Sequence, residues 1–355
     1  MSDWREGRSG DTFTGMKLLP AFAASLSLLL AFDAVAQSRP TPTLKATPTT
    51  VVYGYYDAAT PPVLRIHSGE IVDIETTTGW PSLWESIGVP ADQIQQSNRD
   101  IDREVKERGP GIHILTGPIS IEEAEPGDVL QVDIQSVRLA TNYAVNVFDP
   151  ARGLLDQDFP YARLKLVRLD RDRMVARFVE GVEIPLRPFF GSMGVAPPPF
   201  SRRISSVPPW IHAGNMDNKE LVAGTTLFIP VHAKGALFQV GDGHAGQGNG
   251  EVDLSAIETA LNGTFRFVVR KDIRLRWPRA ETPTHYITMG FHENLEEATK
   301  MAVREMIDFL VTEKHLTRDD AYMLCSMAVD LSITQVVDGR KGVHAMVAKA
   351  IFVHR

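Results

Sequence analysis

Ala236-Leu237-Phe238-Gln239-Val240-Gly241-Asp242-Gly243-His244-Ala245-Gly246-Gln247-Gly248-Asn249-Gly250-Glu251 is the stretch on which the fold turns. An apolar run enters a glycine-rich loop, and Gly241, Gly243 and Gly246 have the G-x-G-x-x-G spacing of a dinucleotide site. That reading needs a helix to follow, whose N-terminal amides would hold a pyrophosphate. Gln247-Gly248-Asn249-Gly250 will not start one, and Asp242 would repel a phosphate. The nucleotide fold is excluded, and a strand running into a polar turn remains. If the strand of residues 236–240 continues extended for two more residues, Asp242 and His244 project to the same side. A carboxylate and an imidazole so placed can share one divalent cation. The glycines allow a tight return, bringing Glu251 back over the same point. A second polar segment, His212-Ala213-Gly214-Asn215-Met216-Asp217, offers Asp217 as a third ligand. The competing reading of the loop is a plain hairpin turn with a few exposed polar residues.

Working outward, short segments alternate apolar and polar residues with a period of two. Val72-Asp73-Ile74-Glu75 does so, as does Leu130-Gln131-Val132-Asp133-Ile134 after a Pro126-Gly127-Asp128 turn. Residues 163–166 and 176–178 flank Asp170-Arg171-Asp172 as a hairpin, and residues 265–267 and 273–277 continue the pattern. Such strands bury one face and wet the other, as antiparallel sheets do. Helical spacing comes late: Asn294 with Glu297 forms a cap, followed by Leu295, Ala298, Ala302, Met306, Phe309 and Leu310. Thr317 opens a second helix carrying Ala321, Leu324, Cys325 and Ala328, and residues 331–337 read as a buried strand ended by Asp338-Gly339. The expected class is α+β: β-rich, with mostly antiparallel sheets in a barrel-like sandwich and helices concentrated in the C-terminal part. The Pro-rich residues 196–210 read either as a boundary between approximate lobes 51–200 and 201–355 or as a long surface loop.

Composition narrows the function. The chain has 355 residues, 43% hydrophobic and 23% charged, with a formal net charge of -7, so no nucleic-acid partner is expected. One cysteine, Cys325, forbids an intrachain disulfide or a multi-cysteine metal site, and its apolar helical setting reads as an inert thiol. Met16-Lys17, the apolar residues 18–32 and Ala34-Val35-Ala36 form a secretory signal at 16–36, cleaved after Ala36. Residues 1–15 read as an over-extended start with Met16 the initiator, and residues 37–50 as a Pro/Thr linker. The expected product is periplasmic or secreted, with no stable membrane association after cleavage.

Other polar residues are weaker signals. His113, in His113-Ile114-Leu115-Thr116-Gly117-Pro118, and His67, before Gly69-Glu70, each read first as hydrogen-bonded structural histidines. Gly191-Ser192-Met193-Gly194 lacks the spacing of a nucleophile elbow. His292, His315, His344 and His354 lie near element ends and read as surface residues.

Several motifs together carry a resemblance. Gly214-Asn215-Met216-Asp217, Ile229-Pro230-Val231, Gly235-Ala236-Leu237-Phe238 and the Gly241–Gly248 loop occur in the order seen in the acetamidase/formamidase family. His113 with Leu115-Thr116-Gly117-Pro118, Glu125-Pro126-Gly127-Asp128 and Glu281-Thr282-Pro283-Thr284-His285-Tyr286 resemble it too, so the likeness runs from Val51 to Phe352. The resemblance implies a metal-associated hydrolase of short linear amides that releases ammonia and assembles as a homo-oligomer. The divalent ion, with zinc the first choice, would be held by Asp217, Asp242 and His244. Glu251 would act as the acid–base, and His113 and Asn215 would orient the substrate or support the oxyanion; His244 and Glu251 can also be exchanged in role. Two positions depart from the family pattern: Asn249 replaces a usual aspartate, and residues 76–80 lack an acidic residue. They leave open a different C–N substrate, such as a lactam or larger amide, and a periplasmic binding protein without catalysis.

Overall fold

Alternation of apolar and polar residues becomes alternation of buried and wet ones. In strand Ile71–Glu75, Val72 and Ile74 are fully buried, while Ile71, Asp73 and Glu75 are half-buried. Leu130, Val132 and Ile134 of Val129–Leu139, and Phe265 and Phe267 of Leu261–Arg270, point into the same core. The computed structural model describes residues 41–353; the signal at 16–36, the start at 1–15 and His354 lie outside the described residues.

Two large sheets pack face to face. The first has nine strands, with Leu261–Arg270 and Val129–Leu139 near its centre and Val329–Gln335 at one edge. The second has six, in which Phe238–His244 lies between Phe189–Gly194 and Ile114–Ile121. Between strands of the described residues, all pairings are antiparallel except Thr43–Leu44 with Ile71–Glu75 and Leu64–Ile66 with Ile114–Ile121. Aromatic rings join the layers: Phe238 meets Phe267 at 5.0 Å and Phe190 meets Phe265 at 5.5 Å between centroids. Burial of this shared apolar surface from both inner faces is the main favourable term for the sandwich. A four-stranded antiparallel meander, from Tyr143–Phe148 to Val182–Pro185, stands beside them. The expected β-rich, mostly antiparallel architecture with C-terminal helices is what the chain adopts.

Helix Leu295–Lys314 begins where Asn294 accepts a hydrogen bond from the Glu297 N–H, and helix Arg318–Ala328 where Thr317 accepts one from Asp320. The apolar face of the first, including Ala302, Met306 and Leu310, packs with Val343, Ala345 and Val347 of strand Lys341–Ala348. Strands from both sides of residue 200 share the two large sheets, and the described chain is one compact unit. The Pro-rich residues 196–210 are therefore a connection within that unit.

Three local expectations differ. Residues 273–277 form no strand: Arg276 is drawn to Glu305 and Asp308 of the long helix, at 2.9 and 2.5 Å, and Trp277 turns against the core. Residues 331–337 are not a buried strand. Val329–Gln335 is the sheet edge, with Thr334 and Gln335 buried, while Leu331 and Ile333 share a face that nothing in the described residues covers and remain 48% and 41% exposed. His344 is fully buried rather than superficial, because its strand lies between Val329–Gln335 and His285–His292.

Candidate active site

Strand Phe238–His244 ends by delivering two side chains to one point. Nε2 of His244 lies 3.3 Å from Oδ2 of Asp242. The chain then turns, and Glu258 returns against His244 and Val145 by backbone bridges, placing its Oε1 3.2 Å from the same Nε2. The approach is close: a Cβ on Gly243 would run into the Thr259 carbonyl. Asp217 arrives from the segment after strand Ala213–Asn215. Glu251 arrives on the glycine-rich loop, which is pinned to the edge of the nine-stranded sheet. There the Gly250 N–H donates to the Thr334 carbonyl at 3.0 Å, and the Val336 N–H donates to the Gly250 carbonyl at 2.9 Å. The same docking brings Asp338 beside Asn215.

Gln247 sets the tautomer of His244. Its Nε2 donates to the carbonyls of Asp217 and Thr334, at 2.9 and 3.3 Å, so its Oε1 is the acceptor that faces His244 Nδ1 at 2.9 Å. His244 therefore donates from Nδ1, and Nε2 is the atom turned toward the acids. Nδ2 of Asn215 donates to Asp217 Oδ2 at 2.9 Å and Asp338 Oδ2 at 3.0 Å, leaving its buried Oδ1 without a partner. His113 rests against Ser206 Oγ through Nδ1 at 2.9 Å, with Nε2 3.8 Å from Asp242 Oδ1.

The cluster is crowded with charge. Burial, then the neighbouring Glu251, Asp338 and Asp242, push the Asp217 carboxyl well above its usual range. Burial does the same to Glu251; His244 pulls the other way, while Asp338, Glu258 and Asp242 add to the rise. Asp338 rises to about 6, by burial against the opposing His113 and with the help of Asp242 and Glu258. For His244 burial acts against the charged ring, but Glu258 and Asp242 outweigh it and hold the imidazole well above its ordinary value. The Asp242 carboxyl is held well below its usual range: burial opposes this, and His113 and His244 override it.

Backbone conformation marks the same residues. Asp217, Asp242, Glu251 and Asp338 all have positive φ, at 51°, 55°, 45° and 62°. Each such residue costs about 1 kcal/mol or more, and strain of this kind gathers where surrounding structure imposes a geometry. Gly191 leaves the centre open. A Cβ there would collide with the carboxylates of Asp242 and Asp217 and with the His244 ring.

These donors fit a divalent cation. Asp217, His244 and Glu251 each offer one atom within 4.8 Å of the others, and Asp242, His244 and Glu258 form a second such set. Asp217 Oδ1 and Glu251 Oε2 are buried without hydrogen-bond partners, a costly state that a bound cation or a proton would relieve. The mix of carboxylate and imidazole suits zinc and similar ions without selecting among them.

All six residues singled out from the sequence meet here. His113, Asn215, Asp242, His244 and Glu251 line a cavity of about 730 Å³, and Asp217 lies behind its wall, 1% exposed. Sequence reasoning passed over Glu258, Asp338 and Gly191. Asp338 looked like a turn residue, Glu258 carried no local pattern, and Gly191 matters only through what faces it. His67 stands apart, exposed and paired with Glu123 at 2.8 Å. Asn249 is exposed and does not line the cavity, whereas Thr78 and Gly79 do.

Comparison with known proteins identifies the family. The model of the acetamidase/formamidase family matches residues 47–203 and 200–353. A putative formamidase of Schizosaccharomyces pombe is 26% identical over 261 residues, covering 58% of this chain and 61% of that protein. A formamidase of Methylophilus methylotrophus is 28% identical over 201 residues, covering 42% of this chain and 49% of that protein. The matched stretch thus spans about half to three-fifths of these relatives. The crystal structure of an acetamidase from Bacillus halodurans superimposes with a TM-score of 0.75 at 28% identity, covering 87% of this chain and 98% of that one. Because the family match extends across both sheets and every residue of the buried acidic cluster, the chain belongs to the acetamidase/formamidase family.

Proposed function

We propose that the protein hydrolyses the C–N bond of linear carboxamides and releases ammonia. The observation that carries this reading is the pair of unpartnered buried oxygens, Asp217 Oδ1 and Glu251 Oε2, in an acidic cluster beside a cavity lined by Asn215, Asp242, His244 and Glu251. Asp242, His244 and Glu258, gathered around Nε2 of the imidazole, are the residues that would hold a divalent ion, with Asp217 beside them and Glu251 left to carry protons. Such an ion, when bound, polarises a carbonyl and lowers the pKa of water.

The chain's own groups supply the rest. Asn215 Oδ1 accepts an N–H of the substrate amide, which orients the carbonyl carbon, since both hydrogens of Nδ2 are already used. Glu251, whose proton affinity is raised chiefly by burial, takes a proton from the attacking water and passes it to the leaving nitrogen. Water oxygen bonds to the carbonyl carbon, the C–N bond breaks, and carboxylate and ammonia leave. The secretory segment at 16–36 supports an exported site of action.

Glu251→Gln tests the reading. It keeps the shape of the side chain and removes the proton carrier, so ammonia release from primary amides should fall by roughly a hundredfold to ten-thousandfold. A folded Glu251→Gln protein with wild-type turnover would remove Glu251 from the chemistry. Loss of wild-type turnover on chelation, restored by a divalent ion, supports the metal set.

A further inference from the structure

We infer that the preferred substrates are primary carboxamides with a bulky apolar acyl group, rather than formamide or acetamide. The inference rests on the proposed amide hydrolysis and concerns what the rest of the cavity is for. At about 730 Å³ the cavity lies in the range of sites that enclose drug-sized ligands, about 300–1,000 Å³. A water takes about 30 Å³ in the liquid, so a two-carbon amide would leave most of this space filled with solvent.

The walls are arranged by polarity. Polar groups converge at one end, where Asn215, Asp242, His244 and Glu251 meet. Away from them the lining is mainly apolar, with Trp80, Leu164, Val337 and the packed group of Trp84, Val145 and Val147, while Arg152 and Lys341 add two cations. Trp80 and Leu164 are large apolar side chains left 41% and 42% exposed at the mouth. An apolar group in the cavity would cover part of this surface. A carboxamide head meets the acids and Asn215, and the carbon chain of the acyl group runs along Trp80.

The discriminating experiment is kcat/KM for ammonia release along formamide, acetamide, hexanamide and phenylacetamide, with the wild type and with Trp80→Ala and Trp80→Phe. Each buried methylene is worth about fourfold, so hexanamide, with four more than acetamide, should exceed it by about 250-fold. Trp80→Ala should lower the phenylacetamide-to-acetamide ratio about tenfold, and Trp80→Phe should restore most of it. A kcat/KM that is flat or falls from acetamide to hexanamide overturns the inference and leaves amide hydrolysis standing. So does an equal loss on both substrates in Trp80→Ala. Folded wild type that releases ammonia from none of the four overturns the proposed hydrolysis, and this inference with it.

Discussion

Gly191 shows how a residue can matter through what it lacks. Its φ is ordinary, so no backbone argument requires glycine there, yet its bare Cα faces Asp217, Asp242 and His244. Gly191→Ala places a methyl group among the candidate cation donors, and the neighbours can give way only by separating. Ammonia release should drop at least a hundredfold on this account, and the thermal stabilisation gained on adding zinc or another divalent ion should shrink. Both are read by comparing wild type and variant with and without chelator. A variant that keeps its turnover and its metal-dependent shift in Tm would show that the cluster opens to take the methyl. The four acids with positive φ are the complementary case, where the backbone is held in a costly shape to aim a side chain.

At the scale of elements, local signals succeeded where a cap or a simple alternation decided the outcome. Asn294 is such a signal: it accepts from the Glu297 N–H at 3.1 Å, with Glu296 and Glu297 in the first turn favouring the same helix end. Asn294→Ala should cost about 1 kcal/mol of unfolding free energy, measured by denaturant titration, without changing the spectrum of the folded protein. An unchanged midpoint would mean that packing against strand Lys341–Ala348 alone holds the helix end. Residues 273–277 show the opposite situation. Their alternation matches a strand, but the pairing partner is absent and the ion pairs of Arg276 with Glu305 and Asp308 tie the segment to a helix instead. Period-two patterning licenses a strand only where a neighbour supplies the ladder.

The whole molecule sets the environment of residues whose sequence context is unremarkable. His344 donates to or accepts from Thr334 Oγ1 at 2.7 Å, and its Nε2 is buried with no partner. Burial lowers its pKa to about 4; Glu220 pulls upward and Lys219 downward to smaller extents. His212, also fully buried, falls to about 3, chiefly by burial, with His232 and Arg340 adding to it. A histidine that is neutral in the fold and protonates at about 6.5 when unfolded lets the unfolded chain bind the extra proton first. Its stabilisation is complete above pH 6.5 and is lost as pH falls toward 4, amounting to about 3 kcal/mol for His344 at 1.36 kcal/mol per unit. His344→Gln keeps a polar side chain without titrating, so the stability difference between variant and wild type should change across pH 6.5 to 4 in the variant's favour. Parallel pH profiles for the two proteins would place His344 in contact with water.

Read by itself, the sequence determined the class of the fold, the capped helices and the identity of six residues in the cluster. Alternation, capping and the failure of the glycine loop to begin a helix are local properties, written in neighbouring residues. Family motifs around Asn215, Asp217, Asp242 and His244 added the chemistry to be expected of them. Only the tertiary structure brought in Glu258 and Asp338, emptied the space opposite Gly191, buried His344 and turned Leu331 outward. Those outcomes depend on which strands pair and on which segments dock across the sandwich, contacts between residues tens to hundreds of positions apart. Desolvation and charge coupling follow from that assembly, so the proton affinities of the acidic cluster exist only once the chain is folded.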